Sequence, residues 1–288
     1  MDQLAGPIGL ALVAAMAFAG ALIVTNLGLR HATPYRGATV SLTTSFVLLW
    51  AAAPALLDAS AWHLGALGLF ALVGLFYPAI VTLLTYESNR VLGPTLTGTV
   101  SSVAPLFAIT AAVLVLGEEL TVAVGVGGIT IVAALVILSW HPKTATRLGG
   151  NLWLPLSSAA LRGLAQALTK LGLALWPNPF AATLMCYTVS GVLIWGTAIA
   201  RPPGQSLRSV ARSVPWFMAA GALNSGALLL LNHALNQGRV GIVAPIVALY
   251  PLFTMLFSTL FLRTERLGRR MVVGALIAVV GVVILVSG

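Results

Sequence analysis

Four side chains carry most of the chemistry this sequence could do. Ser158, Arg162, Gln166 and Lys170 recur every four positions within the apolar stretch 152–174. On a helix that spacing makes one gently drifting stripe. A guanidinium near the middle of such a stretch costs about 3 kcal/mol at bilayer depth unless it faces water or a partner. One chemistry that accounts for it is anchoring of a substrate carboxylate or phosphate by the planar donor fork of Arg162. The competing role is structural, with backbone carbonyls or Glu87 as partner. Lys170 stands nearer the end of its stretch, where its ammonium can snorkel to the interface.

Other polar groups sit in neighbouring apolar stretches. Asn224, Ser225 and Asn232 share one stretch, with Asn236 at its end. Amides offer donors and acceptors to a zwitterionic or sugar-like ligand. They serve equally in helix-to-helix bonds, worth about 0.6 kcal/mol each in membranes. His233, beside a helix end, reads as a satisfied structural histidine. Tyr77, Thr82, Thr85 and Tyr86 flank Pro78, while Thr97, Thr99, Ser101 and Ser102 precede Pro105; Tyr250 lies between Pro245 and Pro251. A proline inside a span frees a backbone carbonyl and bends the helix. Pro78, Pro105, Pro245 and Pro251 are therefore candidate hinges, and Tyr77, Tyr86, Ser101, Ser102 and Tyr250 candidate cavity residues. Trp50 and Trp195 read first as interface-belt residues and second as cavity lining.

The acids are as informative by position. There are six, Asp2, Asp58, Glu87, Glu118, Glu119 and Glu265, and none is near the centre of an apolar stretch. An exporter of cationic drugs driven by protons usually needs a buried carboxylate; Glu87, at a stretch end, comes nearest. Paired aspartates, HExxH and a Ser/His/Asp set are all missing from the apolar stretches, which argues against an enzyme. No metal site or cofactor is expected, and without a Walker A loop ATP-driven pumping by this chain alone is not expected either. The single cysteine, Cys186, reads as packing.

What must position these groups is a membrane bundle. The chain is 59% hydrophobic and 7% charged, with a mean hydropathy of +1.02, where a soluble domain carries about 25% charged residues. Stretches of ~20 apolar residues cross a bilayer as helices. Ten are expected, over 7–27, 37–57, 64–86, 94–116, 121–140, 152–174, 180–200, 214–235, 241–262 and 271–287. Breakers mark the joints, as at Thr33-Pro34, Gly93-Pro94, Trp176-Pro177-Asn178-Pro179 and Arg201-Pro202-Pro203-Gly204. The net charge of +9 is spread over short loops, as in positive-inside orientation, so a nucleic-acid partner is not expected. The first stretch lacks a basic n-region and reads as a spanning helix.

The stretches repeat. Thr43-Thr44-Ser45-Phe46-Val47-Leu48-Leu49-Trp50 returns as Thr188-Val189-Ser190-Gly191-Val192-Leu193-Ile194-Trp195, and Leu27-Gly28-Leu29 as Leu171-Gly172-Leu173. Pro105-Leu106-Phe107 returns as Pro251-Leu252-Phe253, Glu119 as Glu265, and Gly128 as Gly274. Two halves follow, 1–145 and 146–288, within one membrane domain. Five spans per half is odd, so the second copy enters from the opposite side, an inverted repeat of the kind that lets two halves rock about a central site. Arg162, Gln166 and Lys170 have Ala17, Ala21 and Thr25 as counterparts, so the stripe is not part of the duplicated scaffold. Arg30, Arg36, Arg90, Lys143, Arg147, Arg201, Arg208, Arg212, Arg263, Arg266, Arg269 and Arg270 fall in odd-numbered connections, against Arg239 alone in an even one. That bias places both termini outside the cytoplasm. Spans five and ten carry almost nothing polar. They are expected to be scaffold or a homodimer surface, with Gly125, Gly128, Gly274 and Gly281 allowing close approach.

Ser102-Val103-Ala104-Pro105-Leu106-Phe107, Leu116-Gly117-Glu118-Glu119-Leu120-Thr121 and then Gly128 resemble the fourth-span proline, the junction and the following glycine of the drug/metabolite transporter superfamily, EamA type. The second copy keeps Pro251, Glu265 and Gly274 but has Arg263 and Thr264 where the first has Gly117 and Glu118. The resemblance covers the whole chain and says nothing of the substrate. It implies a central cavity walled by spans one to four and six to nine, alternating access, and secondary transport, commonly efflux of small polar metabolites such as amino or organic acids. Multidrug export is the alternative within the superfamily. It also implies helix-junction roles for Glu119 and Glu265, and a bacterial inner membrane as the setting. Many relatives are thought to have cytosolic termini, opposite to the Lys/Arg count.

Overall fold

In the computed structural model the described residues are 2–57, 62–92, 97, 100–139, 151–199, 207–257 and 269–287. Among them every regular element is helical: α1 (Asp2–Gly28), α2 (Pro34–Leu56), α3 (Leu64–Phe76), α4 (Ala79–Leu92), α5 (Ala104–Ala111), a π-helical turn (Ala112–Leu116), α6 (Val122–Ser139), α7 (Trp153–Leu175), α8 (Pro179–Ile199), α9 (Leu207–Gln237), α10 (Val240–Val247), α11 (Tyr250–Phe257) and α12 (Arg269–Ser287). Six described stretches are long and apolar enough to cross a membrane, Leu64–Leu92 and Val240–Phe257 among them; three shorter ones, Ala104–Leu116, Val122–Ile137 and Val272–Ser287, are also apolar. The bundle's exterior matches: Leu64 and Val122 are each 82% exposed, which water would not tolerate across a whole surface. Glu265, Lys143, Arg147, Arg201, Arg263 and Arg266 lie outside the described residues.

The breakers act where the chain needs them. Thr33 is extended and Pro34 opens α2, the first-turn position where proline's missing N–H is harmless. Proline also divides the third span, between α3 and α4. Pro78 cannot donate to Gly74 O, and Ala79 begins α4 with an unpaired N–H. One side chain from α8 meets both needs: Ser190 Oγ donates to Gly74 O at 2.7 Å and accepts from Ala79 N at 3.1 Å. The equivalent Ser45 donates to Gly221 O at 2.8 Å, but α9 runs unbroken there, with Ser225 where Pro78 would stand.

Two further interruptions occur at matching places. Ser102-Val103 turn before α5, with Pro105 in its first turn, and Ala248-Leu249 turn before α11, with Pro251 in its first turn. Pro245 lies inside α10, whose eight residues are all buried.

Contacts between elements are preserved when the halves are exchanged. α1 packs on α9, α10 and α11; its counterpart α7 packs on α3, α4 and α5. The two-fold extends to side chains. Trp50 Nε1 donates to Thr188 Oγ1 at 3.0 Å, and Trp195 Nε1 to Thr43 Oγ1 at 2.8 Å. Such reciprocity is the mark of a two-fold interface. Moving from Thr43 to Trp50 along α2 moves the partner from Trp195 back to Thr188, so these equivalent helices run antiparallel. α6 and α12 do the same, with Gly127 against Leu285 and Gly281 against Ile131. Here Gly127 takes the close-packing role expected of Gly125, which faces open space, while Gly128 packs on Ile109. Two rings complete the pairing: Phe217 seats on Gly28 and Phe70 on Gly172, where an added Cβ would lie 2.9 and 2.4 Å from ring carbons.

Candidate functional site

Between the two matching interruptions lies a narrow cavity of ≈ 20 Å³. Ser101, Ser102, Ala104 and Pro105 wall it from one break, Ala248, Tyr250 and Pro251 from the other, with Phe18, Tyr77, Arg162 and Gln166 between. Such a volume holds a water and no metabolite, so the pocket is nearly closed. Arg162 is the tenth of the 23 residues of α7, ~13 Å from its start at 1.5 Å per residue. Next to it, Gly163 brings α7 against α5: a Cβ there would lie 2.6 Å from Ala108 N. That approach aims the neighbouring Arg162 at the break above Pro105.

The contacts of Arg162 bear on the two readings of its charge. Glu87, the expected structural partner, is taken: Arg90 Nε donates to its Oε2 at 2.9 Å, and the pair forms a salt bridge on the surface. The Arg162 guanidinium carbon instead sits 5.9 Å from the Tyr250 ring centroid. A cation over a ring recovers about 1 kcal/mol, short of the roughly 3 kcal/mol that the charge costs at this depth. One turn on, Gln166 is 7% exposed, and its Oε1 has no hydrogen-bond partner among the described residues. An unmet buried acceptor costs about 1–3 kcal/mol. Among the described residues the cavity thus presents a cation without an anion and an acceptor without a donor.

Other residues named from the sequence are placed elsewhere. Lys170 Nζ donates to Leu235 O at 2.6 Å, bracing the last turn of α9. Asn232 Nδ2 donates to Thr183 Oγ1 at 2.9 Å, tying α9 to α8. Asn224 is half-buried and lines neither described cavity. His233 Nδ1 meets Leu229 O within its own helix. Tyr86 is buried, its hydroxyl 3.2 Å from Thr25 Oγ1, and floors a second, wide opening of ≈ 520 Å³ lined also by Asn26, Arg30, His31, Asn89 and Arg90.

That vestibule and the Lys170 contact lie at opposite ends of the bundle, since Gly28 of α1 meets Phe217 while Gly6 meets Gln237. At the Lys170 end a brace joins the halves. Gly117 turns the chain in the left-handed region at φ 66°, the backbone glycine allows. Glu118 then accepts from Val240 N at 2.9 Å and Gly241 N at 3.1 Å, capping α10. Arg239 donates to Glu119 O at 2.7 Å. The junction role expected of Glu119 therefore belongs, for its side chain, to Glu118. Sequence reasoning missed this cap, the Ser190 bridge and the reciprocal tryptophans; repeat-matched Thr43/Thr188 and Ser45/Ser190 were the available signal.

The EamA-like transporter family model matches twice, over residues 6–140 and 148–287. No curated protein matches the chain. A solved structure described as "Crystal structure of protein" is similar, with a TM-score of 0.75 and 13% identity over 96% of this chain and 95% of that one; at that identity the likeness concerns the fold. The chain is a multi-pass integral membrane protein and belongs to the EamA-like transporter family.

Proposed function

We propose that the protein is a secondary carrier, acting as an exporter, of small polar metabolites that bear an acid group, amino acids or organic acids. Ten spans form two inverted five-helix repeats, 1–145 and 146–288, which rock about the central cavity to give alternating access. The membrane is a bacterial inner membrane with both termini outside. Antiparallel contact of equivalent helices and the exchange symmetry of the packing support the inversion; the Lys/Arg bias supports the orientation.

The observation that supports the reading is Arg162 facing a cavity between two broken helices with, among the described residues, no carboxylate beside it. Pro78, Pro105, Pro245 and Pro251 are the hinges in this account, and Tyr77, Ser101, Ser102, Tyr250 and Gln166 surround the bound solute. Tyr86 and Thr25 stand where solute would pass from the vestibule, and Asn224, Asn232 and Lys170 serve packing and the far closure. The near-closed cavity must widen to admit cargo. Export of cationic drugs is the weaker reading, because the charge lining the cavity is positive.

Binding tests it. Purified protein should gain thermal stability from acid-bearing metabolites, since a ligand stabilises the state it binds. Arg162→Gln should lose the gain. Stabilisation by cationic dyes instead, with none from acids, would reverse the assignment.

A further inference from the structure

Among the described residues the cavity leaves two demands of opposite sign unmet on adjacent turns of one helix. Arg162 only donates, and Gln166 Oε1 only accepts. Four residues apart, they share a face with ~6 Å between their Cβ atoms. A bare carboxylate or an inorganic anion answers Arg162 but has no donor for Gln166 Oε1. A solute whose acid group has an N–H or O–H donor one carbon away answers both at once.

We infer that Gln166 is the specificity-determining residue of the carrier, selecting α-amino and α-hydroxy acids over bare carboxylates. The inference rests on the reading that Arg162 anchors the acid group. The fold itself does not ask for a buried amide here. The repeat builds the equivalent helix with Ala21 at this position, and α1 packs against its neighbours without one. Asn232 shows the contrast: equally buried, it has found Thr183. Gln166 carries its oxygen to the cavity wall and stops there. A site holding an acceptor for one substrate group discriminates against the analogue lacking it, because binding the analogue buries the acceptor unpaired.

The experiment uses full-length protein in lipid vesicles and two matched series: alanine, lactate and propionate; phenylalanine, phenyllactate and phenylpropionate. Saturable uptake is measured for wild type, Gln166→Leu, Gln166→Met and Arg162→Gln, with thermal melts to verify folding. Wild type should favour the donor-bearing members of a series at least tenfold over the bare acid. Gln166→Leu and Gln166→Met should each bring that ratio close to one, while Arg162→Gln should lower flux of every acid. A wild-type preference that survives in both folded Gln166 variants would overturn the inference and leave the Arg162 anchor standing. Equal wild-type flux of all three members would overturn it as well. Absence of saturable flux for any acid would remove the carrier reading, and this inference with it.

Discussion

Replacing Ser190 and its repeat partner Ser45 by alanine should have unequal consequences, although the two serines are equivalent in sequence and both fully buried. Ser190 serves two backbone groups that Pro78 leaves unpaired, at 2.7 and 3.1 Å. Each such group costs about 1–3 kcal/mol when stranded out of reach of water. Ser190→Ala should therefore lower stability by about 2–4 kcal/mol, allowing for partial relaxation. Ser45 donates to a carbonyl inside an unbroken helix and lies against the buried Tyr187 hydroxyl, so Ser45→Ala should cost about 1 kcal/mol, two interhelical bonds at about 0.6 kcal/mol each. Denaturation of the purified protein, titrated with SDS in mixed micelles, would measure both. Adding Pro78→Ala, which returns an N–H to position 78, should relieve part of the Ser190→Ala loss in a double-mutant cycle. Equal losses for the two serines, or no relief from Pro78→Ala, would refute the claim that the break in the third span is held open by this hydroxyl.

Three further outcomes follow from the same geometry. Gly163→Ala places a methyl 2.6 Å from Ala108 N and should cost about 1–3 kcal/mol by overpacking, whereas Gly125→Ala, which meets nothing within 4 Å, should melt within a degree or so of wild type. In a Cys186→Ala background, a short bismaleimide should join Thr43→Cys to Trp195→Cys and leave Thr43→Cys with Thr188→Cys unjoined; the opposite pattern would mean α2 and α8 run parallel. Glu118→Gln should weaken the cap on α10 by about 1 kcal/mol, since a neutral amide oxygen replaces two charge-assisted bonds, and an unchanged melt would show that α10 needs no anion at its start.

The scaffold was legible because its causes are local or periodic. Apolar stretches of bilayer length, prolines at joints and a repeated Thr/Ser/Trp pattern all leave marks at fixed spacing, and spans five and ten announced their lack of chemistry by composition. Partner choice was not legible. Asn224 and Asn232 share a helix face, yet among the described residues Asn232 alone of the two meets a hydroxyl, that of Thr183 on α8. Lys170 continues the stripe of Arg162, yet it lies two turns nearer the helix end and its ammonium ends on the Leu235 carbonyl. Trp50 and Trp195 looked like interface residues because tryptophan is amphipathic wherever it sits; their pairing across the two-fold depends on the antiparallel crossing of α2 and α8. Glu118 and Glu119 are adjacent in sequence, and the turn at Gly117 decides which side chain reaches α10.

The most direct test of the account is flux. Vesicles holding wild-type protein should take up labelled amino or organic acids in a saturable way, above protein-free vesicles, and Arg162→Gln, folded to the same melting point, should weaken apparent affinity by about tenfold to a hundredfold, as expected when a charge-assisted bond worth about 1.5–3 kcal/mol is lost. Folded Arg162→Gln protein that carries these acids as well as wild type would contradict it.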